Sequence, residues 1–120
     1  MPALDTVGQY VTEARRLLQD ERVPYRYPDK DIVDALNIGL TAARRLRADL
    51  FIAVNFTVPY FDTSGAPNMA AKVAMDPMYR ESLVYYIIGR IQLRDDEATT
   101  DQRAAGLLQK FTSQMLVIAS

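Results

Sequence analysis

Apolar positions recur at helical spacing from the start of the chain. Val7, Tyr10, Val11, Ala14, Leu17 and Leu18 follow the i, i+3, i+4, i+7 rule, with Glu13, Arg15, Arg16 and Gln19 between them. The spacing predicts an amphipathic first helix from Asp5 to near Asp20. Pro24 and Pro28 then remove backbone donors and push their predecessors out of the helical region, so residues 21–28 read as an extended connector. A second helix is expected from an N-cap at Asp29 to about Asp49. Asp31 and Asp34 sit in its first turns, and Arg44, Arg45 and Arg47 at its end, which suits the helix dipole at both termini. Its buried stripe is Ile32, Ala35, Leu36, Gly39, Ala43 and Leu46, widened by Val33 and Leu40.

The periodicity then stops. Phe51, Ile52, Val54, Phe56, Val58, Tyr60 and Phe61 form a segment rich in β-branched and aromatic residues, and residues 62–68 carry turn chemistry. The stretch 51–75 therefore predicts a long extended loop or a β-hairpin, and long loops in small domains are commonly functional. Regular structure resumes at Asp76-Pro77, an N-cap followed by a residue favoured at the first helical position, and a third helix is expected to run to about Glu97. Its middle, Leu83 to Ile91, is apolar nearly all round, so it is either the central core helix or is covered in part by a neighbour. Thr99 and Gln102 have capping-box spacing, and Ala104, Leu107, Leu108, Phe111, Met115 and Ile118 carry a fourth helix. Glycines at 39 and 89 lie inside predicted helices, at a cost of about 1 kcal/mol each. A close approach of the second and third helices at both points would offset it. The expected fold is mainly α, a single domain over residues 1–120 built as a small bundle of about four helices.

Composition narrows the function. Lys and Arg number 14 against 15 Asp and Glu, for a net charge of −1, which gives none of the field that holds nucleic-acid phosphates in general. Cys and His are both absent from the sequence, which excludes thiol nucleophiles, imidazole bases, Ser-His-Asp triads, zinc fingers and disulfide frameworks. No glycine-rich phosphate loop or metal-ligand spacing occurs, so no enzyme activity, cofactor or metal is expected. Asp29, Asp31 and Asp34 are explained by the helix N-terminus without a cation. The apolar run from Leu83 to Ile88 falls far short of the roughly 20 residues of a membrane span, and the N-terminus lacks signal-peptide character.

Two sets of residues are candidates for partner contacts. Arg44, Arg45 and Arg47 form a basic cluster suited to phosphate or carboxylate pairing. Tyr25 and Tyr27 flank Arg26 and suit a protein interface or a stacked base. Apolar surface on the third helix, added to that of 51–61, exceeds what a monomer of this size readily hides, and such a surplus marks protein contacts.

Tyr25-Arg26-Tyr27-Pro28-Asp29, Leu36 to Leu40, the helix end Arg44 to Phe51, and Asp76-Pro77-Met78-Tyr79-Arg80 through Arg90 to Asp95-Asp96-Glu97 also carry a resemblance. In that order, and with a closing helix containing Phe111, they resemble the tailed-bacteriophage head-to-tail adaptor proteins, also called connector or head-completion proteins. Where such proteins often show Arg-Pro-Asp at the end of the second helix, this chain has Arg47-Ala48-Asp49. The resemblance implies a non-enzymatic subunit of the virion neck, assembled in the host cytoplasm. It implies a homo-oligomeric ring, a dodecamer matching the portal, that docks under the portal protein and offers a platform to tail or nozzle proteins. Genome DNA would pass through its channel without specific binding, and no membrane is involved. Residues 51–75 would be the main element between subunits, with Phe51, Ile52, Val54, Phe56, Val58, Tyr60 and Phe61 at the interface. A helical nucleic-acid-binding regulator using Arg44, Arg45 and Arg47 is the alternative.

Overall fold

The computed structural model describes residues 4–94 and 101–116. Four α-helices follow one another: α1 (Val7–Leu18), α2 (Asp29–Leu46), α3 (Arg80–Arg94) and α4 (Asp101–Met115), with short 3-10 helices at Ala48–Val54 and Pro77–Tyr79. Among the described residues there is no β-strand, only an isolated antiparallel bridge between Thr6 and Lys72. The chain is a small helical bundle whose α2 and α3 are joined by a long segment that begins and ends in short 3-10 helices and is irregular between them.

Local chemistry sets the helix ends. At the start of α1 the Thr6 hydroxyl accepts from the Gln9 amide, while the Gln9 side chain accepts from the amides of Asp5 and Thr6. This is a reciprocal capping box that satisfies otherwise orphaned donors. The helix closes at Gln19 in the left-handed region (φ 57°). The expected cap at Asp29 is displaced by one residue: Pro28 occupies the cap position without a side-chain bond, and Asp29 is the first helical residue. Asp76 does cap, accepting from the Met78 amide with Pro77 next in line, but the turn it opens is 3-10 before it becomes α3. The capping box at Thr99 and the end of the third helix near Glu97 lie outside the described residues.

α3 is the central helix. Leu83, Val84, Ile87, Ile88 and Ile91 are all buried, against α1, α2 and α4. The apolar middle of α3 is thus enclosed within the single chain, and the apolar surface expected there is reduced to Leu93 near its end, 45% exposed, and the half-buried Tyr85 and Tyr86. Tyr10 and Val11 of α1, Ile32, Leu36 and Leu40 of α2, and Phe111 and Met115 of α4 complete the core.

The two helical glycines mark two different contacts. A Cβ on Gly39 would lie 2.9 Å from Cδ1 of Tyr86, so α2 meets α3 there. A Cβ on Gly89 would lie 3.0 Å from the Ala104 carbonyl and the Leu108 side chain, so the neighbour at that point is α4, not α2. Gly39→Ala is expected to cost about 1–2 kcal/mol, because displacing the Tyr86 ring outweighs the gain in helix propensity. Urea unfolding of the variant measures it.

Tyr10 is fully buried, and its hydroxyl has no hydrogen-bond partner among the described residues. Burial drives the pKa of this phenol well above its ordinary 10.0, against a smaller opposing pull from Arg80 and with a minor push from Asp5. Above pH 10 the unfolded tyrosine loses its proton and the folded one does not, so this group's contribution to stability declines as pH rises past that point. Tyr10→Phe is expected to gain about 1 kcal/mol at neutral pH, by removing an unpaired buried hydroxyl. It should also shrink the alkaline decline, and unfolding midpoints at neutral pH and above pH 10 test both.

Candidate interaction surface

The segment after α2 is a strap lying along the bundle. Residues 51–75 form no hairpin: the 3-10 helix Ala48–Val54 takes up their start, and beyond it the backbone is irregular. Phe56 O accepts from Arg44 Nε at 2.7 Å. Asn37 holds Phe61 by both edges of its carboxamide, donating to Phe61 O and accepting from Phe61 N, each at 2.9 Å. Thr63 Oγ1 donates to Asp34 Oδ1 at 2.7 Å. The strap therefore runs antiparallel to α2, meeting residues 44, 37 and 34 in turn. It then crosses the start of α1, where the amides of Val7 and Gly8 donate to Ala71 O and Met69 O, and Val73 N donates to Asp5 O. These links give partners to two N-terminal helix amides that have none within the helix.

The strap sorts the expected interface residues into two groups. Phe51 is 1% exposed and belongs to the chain's own core, so it offers no surface to a neighbour. Val54, Val58 and Phe61 are half-buried and pack on that core. Ile52, Phe56 and Tyr60 are exposed at 61%, 47% and 71%. All seven were expected at one interface, whereas the 3-10 turn and the strap fold Phe51 inward and leave Ile52, Phe56 and Tyr60 facing solvent.

The arginines also divide. Arg44 is bonded to the strap, and Arg47 forms a paired contact with Asp49 while donating to Tyr79 Oη and Met115 O. Arg47 thus joins the end of α2 to the start of α3 and the end of α4, and its guanidinium holds the Asp49 carboxyl below its ordinary pKa. Arg45 is the exposed member of the trio. Because α2, α3 and α4 converge on Arg47, the exposed Ile52, Met78 and Leu116 all follow or precede this junction by a few residues at one end of the bundle.

Tyr25 and Tyr27 lie at the opposite end of α2, in a connector built on Asp20. This carboxylate is buried and accepts from Arg15 Nη1 at 2.8 Å and from the amides of Arg26 and Tyr27. Arg15, itself buried, also bonds Asp29 at the start of α2 and lies 3.8 Å from the centre of the Tyr25 ring. Tyr25 is exposed and Tyr27 half-buried. An open groove of about 440 Å³ beside this cluster is lined by Gln9, Thr12, Arg15, Tyr25 and Met69. The cation in it is already neutralised by two carboxylates.

Asp20 and Asn37 are the organising residues that the sequence reading missed. Asn37 had a signal, a polar residue between core positions Leu36 and Leu40. Asp20 had none beyond its place at a helix end. Among the described residues no cluster of acidic side chains has the arrangement of a metal site, and no helix is long and apolar enough to cross a membrane. No family model matches the chain, and neither a curated protein nor a solved structure matches it.

Proposed function

We propose that the chain is a structural subunit of the tailed-bacteriophage neck, a head-to-tail adaptor that forms a ring beneath the portal and carries tail proteins. The observation that carries this reading is that Ile52, Phe56 and Tyr60, three exposed apolar side chains, fall within nine residues of the segment that follows α2. Exposed apolar side chains gathered in one segment mark protein contacts, whereas ones scattered singly do not. These three fall where the resemblance to the adaptor family expects the contact between subunits, and Tyr25 lies at the other end of α2. A head-to-tail ring needs two different patches on each subunit, and closure depends on the rotation between neighbours. Docking on an existing portal ring raises the effective concentration of each later subunit, so contacts that are weak singly suffice. The near-neutral charge suits a wall past which DNA slides without being held.

The regulator reading draws less support. Two of its three arginines, Arg44 and Arg47, are bonded to protein groups, and for Arg47, engaged through all three guanidinium nitrogens, contact with phosphate would have to displace those bonds.

Imaging of the purified protein mixed with its portal tests the proposal. A ring-shaped layer on the portal is expected, and Ile52→Asp with Tyr60→Asp should abolish it while leaving the helical circular dichroism unchanged. A bare portal at saturating protein would overturn the reading. Sequence-specific retardation of duplex DNA in a mobility-shift assay would favour the regulator instead.

A further inference from the structure

The link between the two halves of the chain is strained. Asn55 (φ 56°) and Phe56 (φ 61°) are consecutive non-glycine residues in the left-handed region, where the side chain of an L-residue crowds the following carbonyl. Asparagine tolerates this geometry through its short polar side chain, and a bulky aromatic does not. Both side chains are exposed, so packing does not hold the turn. Hydrogen bonds do: Asn55 N donates to Ile52 O at 3.1 Å, Phe56 N to Phe51 O at 2.8 Å, and Arg44 Nε of α2 to Phe56 O at 2.7 Å.

On either side of this turn lie two segments that complete each other. Before it come α1, α2 and the 3-10 helix; after it come the strap, α3 and α4. The contacts that join them include Asn37 with Phe61, Asp34 with Thr63, the α1 amides with Met69 and Ala71, Arg47 with Tyr79 and Met115, and the packing of Gly39 on Tyr86. None of these requires both halves to come from the same molecule. If residues 55 and 56 extend, each can be remade with another copy, and the strained turn is the element that changes.

We infer that the chain exchanges its second half, from Thr57 onward, with another copy of itself, using Asn55 and Phe56 as the hinge. Strained hinges favour such exchange because the closed monomer alone bears the strain. The vacated half cannot stay open. Opening exposes to water the apolar core that α1 and α2 share with α3, Tyr10, Ile32, Leu36 and Leu40 among it, and that exposure is costly. Exchange is therefore reciprocal between two copies or passes from copy to copy around a closed ring. The inference goes beyond the neck reading, since two copies in solution suffice for it.

The chain lacks cysteine, so engineered thiols report cleanly. Thr63 Oγ1 lies 2.7 Å from Asp34 Oδ1, which makes Asp34→Cys and Thr63→Cys a reporting pair across the two halves. The two single variants, unfolded together in equal amounts, refolded at high concentration and oxidised, are expected to give more mixed disulfide dimer than the two like-with-like dimers combined, which is the level random pairing gives. Mixed dimer at or below that combined level would overturn the inference.

Light scattering of the refolded protein without thiols gives a second readout. Phe56→Gly accepts the left-handed turn without strain and should lower the dimer-to-monomer ratio about tenfold, and Phe56→Val should raise it. Equal ratios for both variants, or monomer throughout, would also overturn it. The double variant closed by an intrachain disulfide separates the two readings. A portal-bound layer formed by that locked chain would keep the adaptor and remove exchange as its means of assembly; mixed dimers without any portal layer would keep exchange and remove the adaptor.

Discussion

Phe111→Ala should lower stability by about 3–5 kcal/mol, a typical cost for truncating a buried aromatic. For a domain of this size that is a fall in Tm of roughly 10–20 °C. Phe111 is 2% exposed and meets Tyr86 edge-on, with ring centroids 4.8 Å apart. It is the largest fully enclosed side chain that α4 contributes to the core, beside Ala104 and Met115. Truncation removes that area from the core and also loosens the Tyr86 ring, which lies against Gly39. The effect therefore reaches the α2 and α3 contact. Thermal unfolding followed by circular dichroism measures it, and Phe111→Leu, which keeps most of the volume, should cost under about 1.5 kcal/mol. A loss below 1 kcal/mol for the alanine variant would mean that α4 does not pack as described.

Asp20→Ala should cost about 3–5 kcal/mol as well, through electrostatics. Removing this carboxylate leaves the buried Arg15 with Asp29 as its remaining carboxylate, which is itself half-exposed, and frees the amides of Arg26 and Tyr27. Breaking one member of a buried pair is far more damaging than exchanging both for apolar groups, because an uncompensated charge stays behind. In a double-mutant cycle with Arg15→Met, the cost of Asp20→Ala should fall by about 1–3 kcal/mol once the guanidinium is gone. Urea midpoints of the four proteins give the coupling directly. Additive losses would show that Asp20 acts through the two amides alone. Loss of Asp20 also releases the loop that carries Tyr25, so portal binding by that variant reports whether the connector takes part in the proposed contact.

The helices were legible because their information is local. Apolar spacing in 7–18 and 32–46, the Asp76-Pro77 start and the repeat ending at Phe111 and Met115 each speak within a few turns of backbone. The central place of α3 was also readable, since a helix apolar on every side has to be enclosed. Whether the enclosing neighbour was another chain could not be read the same way. The balance between core and surface depends on how four helices are arranged, and the structure encloses the apolar middle of α3 within one chain while leaving Leu93 exposed.

The strap was less legible. β-Branched and aromatic residues at 51–61 argue for extended backbone, yet such preference is weak where no partner strand exists. Phe51 turns inward because the end of α2 leaves a place in the core one short turn away. Asn37, Asp34 and Arg44 then bind backbone groups and one hydroxyl of the strap across 12 to 29 positions of sequence. Pairings at that range have no periodic signature.

Sequence alone therefore determined the number and order of helices, the break in α-helix between the second and third, and the chemistry that a chain without cysteine or histidine cannot perform. Only the tertiary structure decided that Phe51 is core while Ile52, Phe56 and Tyr60 face solvent, that Gly89 meets α4, that Arg44 and Arg47 serve the fold, and that a buried Asp20 shapes the connector. The division has one cause. Helix formation is set by neighbours three and four residues away, whereas exposure and ion pairing are set by whichever distant residues the packed helices bring into contact.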